Sequence, residues 1–213
     1  AWKRDWLAEQ VLGLNADVIG FQEVFEEPAL EDVIAEADTR GVALNEVAIP
    51  DPGKRYARKA IFRRLSYTPY GSAELAFAPN LNDGGPGERR PGLAVLSRPG
   101  FVGGPEVIQE VLPALEIPLT ALGGEGAGSY RVTRLSRPIL KVRVPMGAAV
   151  VTVFNCHLKS KLGEYVRPPG AAFAPEADLL AYDPAGRAMG SLRAALRRMA
   201  EAWVLRREIV TEL

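Results

Sequence analysis

Two short stretches of the sequence carry side chains suited to binding or splitting a phosphoryl group. In Gly20-Phe-Gln-Glu-Val24, a glutamate follows a run of strand-forming residues. A carboxylate just past a buried strand can point into the cleft at a sheet's end. A hard cation such as Mg²⁺ takes carboxylate oxygen and keeps several waters, so Glu23 with further oxygens would suffice to hold one. From the residues alone, a solvent-exposed glutamate after a strand is the simpler reading. In Asn155-Cys-His-Leu-Lys-Ser160, the polar residues close the apolar run Val150-Val-Thr-Val-Phe154. Strand alternation places Asn155 and His157 on one face and Cys156 and Leu158 on the other. An amide and an imidazole on one face can grip a phosphoryl oxygen, with Lys159 and Lys161 adding positive potential. A hydrogen-bonded core histidine with surface lysines is an equally good account.

Other candidates carry less. Arg89-Arg-Pro-Gly-Leu-Ala-Val-Leu-Ser-Arg98 reads as a buried strand with ordinary flanks, and Arg98 at its end could touch an anion. Cys156, with no second thiol, reads as a small buried apolar residue. The single histidine excludes any mechanism that needs two, and the single cysteine excludes an internal disulfide or a multi-cysteine zinc site. Arg193, Arg197, Arg198, Arg206 and Arg207 read as the solvated face of a closing helix.

These residues must be positioned by regular elements, and hydrophobic periodicity supplies them. Leu7, Val11 and Leu14 share one face of a helix over 2–14, with Asn15 as its stop. Asp17–Val24 reads as a buried strand. Pro28 suits a first helical turn. Leu30, Val33, Ile34 and Ala37 form the next helical stripe, ended by Gly41, and Val42–Ile49 reads as a strand. Short strands follow at Leu75–Ala78, Leu93–Leu96 and Val102–Val107, then at Tyr130–Ser136, Ile139–Val144 and Ala149–Leu158. Residues 79–92, 118–128 and 161–186 read as loops. Met189, Leu192, Leu196, Met199, Trp203 and Val210 give a closing amphipathic helix a core-facing stripe.

Composition bounds the class. The chain has 213 residues, 47% of them hydrophobic and 24% charged, with a formal net charge of zero. That is the profile of an ordinary globular domain, not of a disordered tail. Its length supports one core burying roughly 70% of the unfolded surface, and two domains would be cramped. No apolar run is long enough to span a bilayer. Charge is uneven: residues 16–38 hold eight acids and no Lys or Arg, and 53–65 hold six bases and no acid. Both fit solvated surface. They also fit a basic rim for phosphates beside an acidic metal site. With no disulfide and no targeting segment in this stretch, the cytoplasm is the default expectation.

Taken together and in order, Asn15-Ala-Asp-Val-Ile-Gly-Phe-Gln-Glu-Val24, Arg90-Pro-Gly-Leu-Ala-Val-Leu-Ser-Arg98 and Val151-Thr-Val-Phe-Asn-Cys-His-Leu-Lys-Ser160 resemble the endonuclease/exonuclease/phosphatase superfamily. The helix over 187–210, with Arg197-Arg-Met-Ala-Glu-Ala202, is similar to the helix these proteins place after the His-Leu motif. The resemblance implies an α/β (α+β) four-layer sandwich: two packed mixed β-sheets flanked by helices, one partial domain over 1–213. It implies Mg²⁺- or Mn²⁺-dependent hydrolysis of a phosphoester by in-line water attack. By the same resemblance Glu23 is the metal-binding glutamate, His157 the histidine that bonds the scissile phosphate, and Asn155 its support. The substrate would be a phosphoester, with nucleic acid neither demanded nor forbidden by overall neutrality.

The sequence also departs from the family. The early asparagine-bearing strand, the Gly-Asp-Phe-Asn type motif and the terminal Ser-Asp-His motif are absent from these residues, and Asn80, Asn82 and Asp83 stand too early to replace them. The chain therefore reads as the central part of a hydrolase, inactive or nearly so in isolation. The alternative is a non-catalytic fragment or binding module that keeps the fold to hold a phosphorylated ligand or a protein partner. Oligomeric state is not legible.

Overall fold

The computed structural model describes residues 2–46, 66–81, 90–119, 128–164 and 184–213. The basic run over 53–65, Asn82, Asp83 and most of the 161–186 loop lie outside them. The elements are α1 (Trp2–Leu14), β1 (Val18–Val24), α2 (Glu27–Glu46), β2 (Glu74–Ala78), β3 (Gly92–Ser97), β4 (Glu106–Leu119), β5 (Gly128–Met146), β6 (Ala149–Cys156) and α3 (Pro184–Glu212). They form two three-stranded sheets, ordered β1-β3-β2 and β4-β5-β6. Every described pairing is antiparallel, where mixed sheets were expected.

Strand alternation builds the layers. β3 is buried along its whole length. Its Leu96 joins Ala8, Val11, Ile19, Val33 and Ala37 under α1 and α2. Its Leu93 and Val95 point the other way and meet Leu140, Val142 and Val144 of β5 between the sheets. The opposite face of the second sheet places Leu135 and Ile139 against Val204 of α3. Helices, sheet, sheet, helix: the α+β four-layer sandwich is present.

Several local readings change. Gly41 does not end α2, which continues to Glu46 where a strand was expected to begin. The glycine serves packing: a Cβ there would lie 2.1 Å from the ring of Tyr67. The segment expected as a strand from Val102 is irregular up to β4, which starts at Glu106. Two expected strands are one, β5. Its ladder with β4 jumps from Ile108–Ile139 to Glu110–Arg134, so residues 135–138 oppose Gln109 alone. Pro138, which has no N–H to give, falls inside that irregularity. Leu14 is exposed, and Ala8 takes its place in the core.

The closing helix turns the other way from expectation. Leu192, Met199, Trp203 and Val210 are exposed. The buried face is Gly190, Arg193, Ala194, Glu201 and Val204. Both stripes have helical spacing. The small one approaches the sheet closely, and its charged members are bonded: Glu201 accepts hydrogen bonds from Ser136 N, Ser136 Oγ and Lys159 N.

Candidate active site

The C-terminal end of β1 and the C-terminal end of β6 belong to different sheets, yet they deliver Glu23 and His157 to one place. Glu23 Oε1 lies 3.9 Å from His157 Nδ1. The glutamate arrives there through a β-bulge. The ladder pairs Gln22 with Leu93 and Val24 with Gly92, leaving Glu23 as the extra residue. Its φ is 58°, a left-handed conformation that costs a β-carbon-bearing residue energy and is cheap mainly for glycine. Opposite the bulge, a Cβ on Gly92 would lie 2.3 Å from the Ala78 carbonyl oxygen and 3.2 Å from that of Val24. The glycine is thus required by close backbone approach. Bulges of this kind re-aim a side chain, and strained backbone of this kind concentrates at functional sites.

His157 follows β6. Val153 packs between the sheets, and Phe154 and Cys156 pack toward α3. Asn155, in phase with Val153, points back between the sheets and donates both amide hydrogens, to Phe21 O and Ala94 O, each at 2.9 Å. The expected alternation therefore holds through Cys156, where β6 ends. The amide hydrogens that could have gripped a phosphoryl oxygen are committed to backbone, so Asn155 fixes the strand that carries His157 and joins the two sheets.

His157 Nδ1 is buried and has no hydrogen-bond partner. Burial, and then the nearby Arg137 guanidinium, hold its pKa below the ordinary value; Glu23 and Glu201 oppose that in part. The ring is therefore neutral at pH 7, and its approach to Glu23 is not an ion pair. Arg137 Nη1 reaches Leu158 O at 3.3 Å. Sequence reasoning missed this cation, because Arg137 falls in the break between two expected strands and carries no periodic signal. Lys159 bonds Leu162 O through Nζ, and its pKa is lowered chiefly by burial. Cys156 is half-buried, and burial raises its thiol pKa, in keeping with an inert packing residue.

The arginines of α3 were expected in solvent. Arg193 is fully buried, Arg197 pairs with Glu164 at 2.7 Å, and Arg198 donates to Lys159 O and Ser160 O. They fasten the segment after His157 to the helix. Arg98 is not brought to the site. It sits at the opposite end of the first sheet, bonded to Asn15 O, Asn15 Oδ1 and Thr68 O and stacked 4.0 Å from the Tyr70 ring. Protein groups engage both of its Nη atoms, and its Nε is buried without a hydrogen-bond partner among the described residues. Asn80 is likewise structural, donating to Pro91 O and Ser136 O.

The carboxylate brought to His157, at 3.9 Å, is that of Glu23. No group of three or more His, Cys, Asp or Glu that could hold an ion is found among them. A site built wholly from such side chains is therefore not present among the described residues.

No family model matches the chain, and no curated protein matches it. Among solved structures it is similar to an endonuclease/exonuclease/phosphatase family protein from Leptotrichia buccalis C-1013-b, with 16% sequence identity and a TM-score of 0.37. The match covers 92% of this chain and 55% of that one, so the chain spans about half the length of that neighbour.

Proposed function

We propose that this chain carries part of the site of a metal-assisted phosphoester hydrolase. The observation that carries the reading is the meeting of Glu23 and His157, 3.9 Å apart, at one end of two stacked sheets. On this reading Glu23 holds a Mg²⁺ or Mn²⁺ ion. The ion would supply charge stabilisation to a phosphoryl group. His157, neutral at pH 7, donates a hydrogen bond to a phosphoryl oxygen, where positioned donors contribute most as charge develops. Arg137 adds a fixed positive charge beside it. Asn155 holds the strand beneath.

A specific observation also favours the binding reading. The acid that lies nearest on α3, Glu201, is buried and accepts three hydrogen bonds, so it is not free to activate water. The isolated chain is therefore expected to bind a phosphorylated ligand better than it turns one over. The deciding assay is Mg²⁺-dependent hydrolysis of bis(p-nitrophenyl) phosphate by the longest natural protein that contains this sequence. Glu23→Gln is expected to reduce turnover by about 100-fold or more, the scale of losing a transition-state charge contact. Unchanged metal-dependent turnover in that variant would remove Glu23 from the site and the hydrolase reading with it.

A further inference from the structure

The separation of Glu23 from His157 is not set by any β-ladder. β1 and β6 lie in different sheets and share no backbone pairing. Among the described residues two hydrogen bonds join these strands. One is the Asn155 amide to Phe21 O at 2.9 Å, deep between the sheets. The other is Gln22 Nε2 to Cys156 O at 2.8 Å. The second is placed at the critical point. Its donor residue directly precedes Glu23, and its acceptor residue directly precedes His157. Gln22 is also the last regularly paired residue before the bulge, facing Leu93. Beyond it the chain enters the left-handed conformation at Glu23, which relaxes unless its flanks are held.

We propose that Gln22 is a positioning residue: by bonding the Cys156 carbonyl it locks the two strand ends together and holds the bulged Glu23 against His157. Neither of the site residues is touched through its own functional atoms. Gln22 acts on the distance between them. A hydrogen bond of this length and type contributes modestly to stability, so its loss leaves the fold in place. What it removes is registry across the gap between sheets. The value of the proposal lies in the reading of Glu23 and His157 as one site, on which it rests.

The test uses the fact that the chain has one histidine, so its ring resonances are unambiguous. The Cε1–H and ring nitrogen shifts of His157 are recorded at a fixed pH of about 8, above the ordinary histidine range. Four proteins are compared: the natural chain, Glu23→Gln, Gln22→Met and the double variant. Methionine keeps the length and lacks the donor. In the natural background Glu23→Gln is expected to move the His157 resonances, because a carboxylate leaves their surroundings. In the Gln22→Met background the same change is expected to move them at least about twofold less, since the electrostatic effect of a charge falls with distance. An equal displacement in both backgrounds, or none in the natural one, overturns the proposal. If Gln22→Met does not fold, Gln22→Ser, too short to reach Cys156 O, is read in the same way. The measurement needs no metal and no substrate. A lost coupling without Mg²⁺-dependent turnover in the hydrolysis assay would leave the clamp standing and remove the hydrolase reading. Turnover with an intact coupling would remove the clamp alone.

Discussion

At the scale of single residues, the site shows a glutamate kept where a glycine would be more comfortable. Glu23 holds φ at 58° inside a bulge. If the carboxylate is there for binding rather than for the fold, removing it should relieve the backbone. Glu23→Gly is expected to unfold at a higher urea midpoint than Glu23→Gln, by about 1 kcal/mol less any loss from greater chain entropy in the unfolded state. A Glu23→Gly midpoint below that of Glu23→Gln by the full chain-entropy loss would mean that the conformation is not strained. What the sequence revealed at this scale follows from the same physics. The alternation through Phe154, Asn155 and Cys156 was readable, because a strand's period of two is imposed by every residue. The bulge at Glu23 was not, since nothing in Gln22-Glu-Val24 marks a left-handed residue. The partners of Arg98 were not readable either, because Asn15, Thr68 and Tyr70 are separated from it in sequence.

At the scale of elements, α3 is held by charges where an apolar stripe was expected to hold it. Besides Glu201, its last turn carries Glu212, which pairs with Lys141 and with Arg143 Nη2 at 2.9 Å and accepts from Thr152 Oγ1 at 3.0 Å. Lys141 also meets Glu106 at 3.2 Å, so the helix end, β5, β6 and β4 share one network. The Lys141 ammonium, ahead of Thr152 and Arg143, holds the Glu212 carboxyl down at about 2, against an ordinary value of 4.5. A carboxyl depressed in the folded chain binds its proton more readily once unfolded. Its contribution is therefore complete above pH 4.5 and is lost as pH falls toward 2. Urea midpoints measured across that window should fall more steeply for the natural chain than for Glu212→Gln. Parallel curves would show that the network does not anchor the helix. The helix itself was legible from its length and period. Its orientation was not, because two stripes share the same spacing and only the small one lets Glu201 reach the Ser136 and Lys159 amides.

At the scale of the whole molecule, the question is what makes two three-stranded sheets one body. Apolar packing of Leu93 and Val95 against Leu140, Val142 and Val144 supplies the bulk of it. Packing of this kind tolerates sliding, and a site divided between the sheets does not. Asn155 supplies the missing directionality, since one buried amide from β6 reaches carbonyls on both β1 and β3. Asn155→Ala, which leaves those bonds unmade, is expected to cost about 1–3 kcal/mol. Asn155→Asp has the same shape and tests the direction of the bonds. At neutral pH it turns an acceptor-only carboxylate toward two carbonyl oxygens, and the loss should exceed that of alanine, at about 3 kcal/mol or more. Burial and those oxygens would raise the new carboxyl's pKa in the folded chain above its unfolded value. Stability gained by protonation is then present at low pH and lost as pH rises through the folded pKa. Asn155→Asp should accordingly recover toward Asn155→Ala, or beyond it, between pH 7 and 5, as urea unfolding of both variants at each pH will report. An aspartate variant no weaker than alanine at pH 7 would show that the amide is not what ties the sheets, and would leave the meeting of Glu23 with His157 to packing and the Gln22 bond.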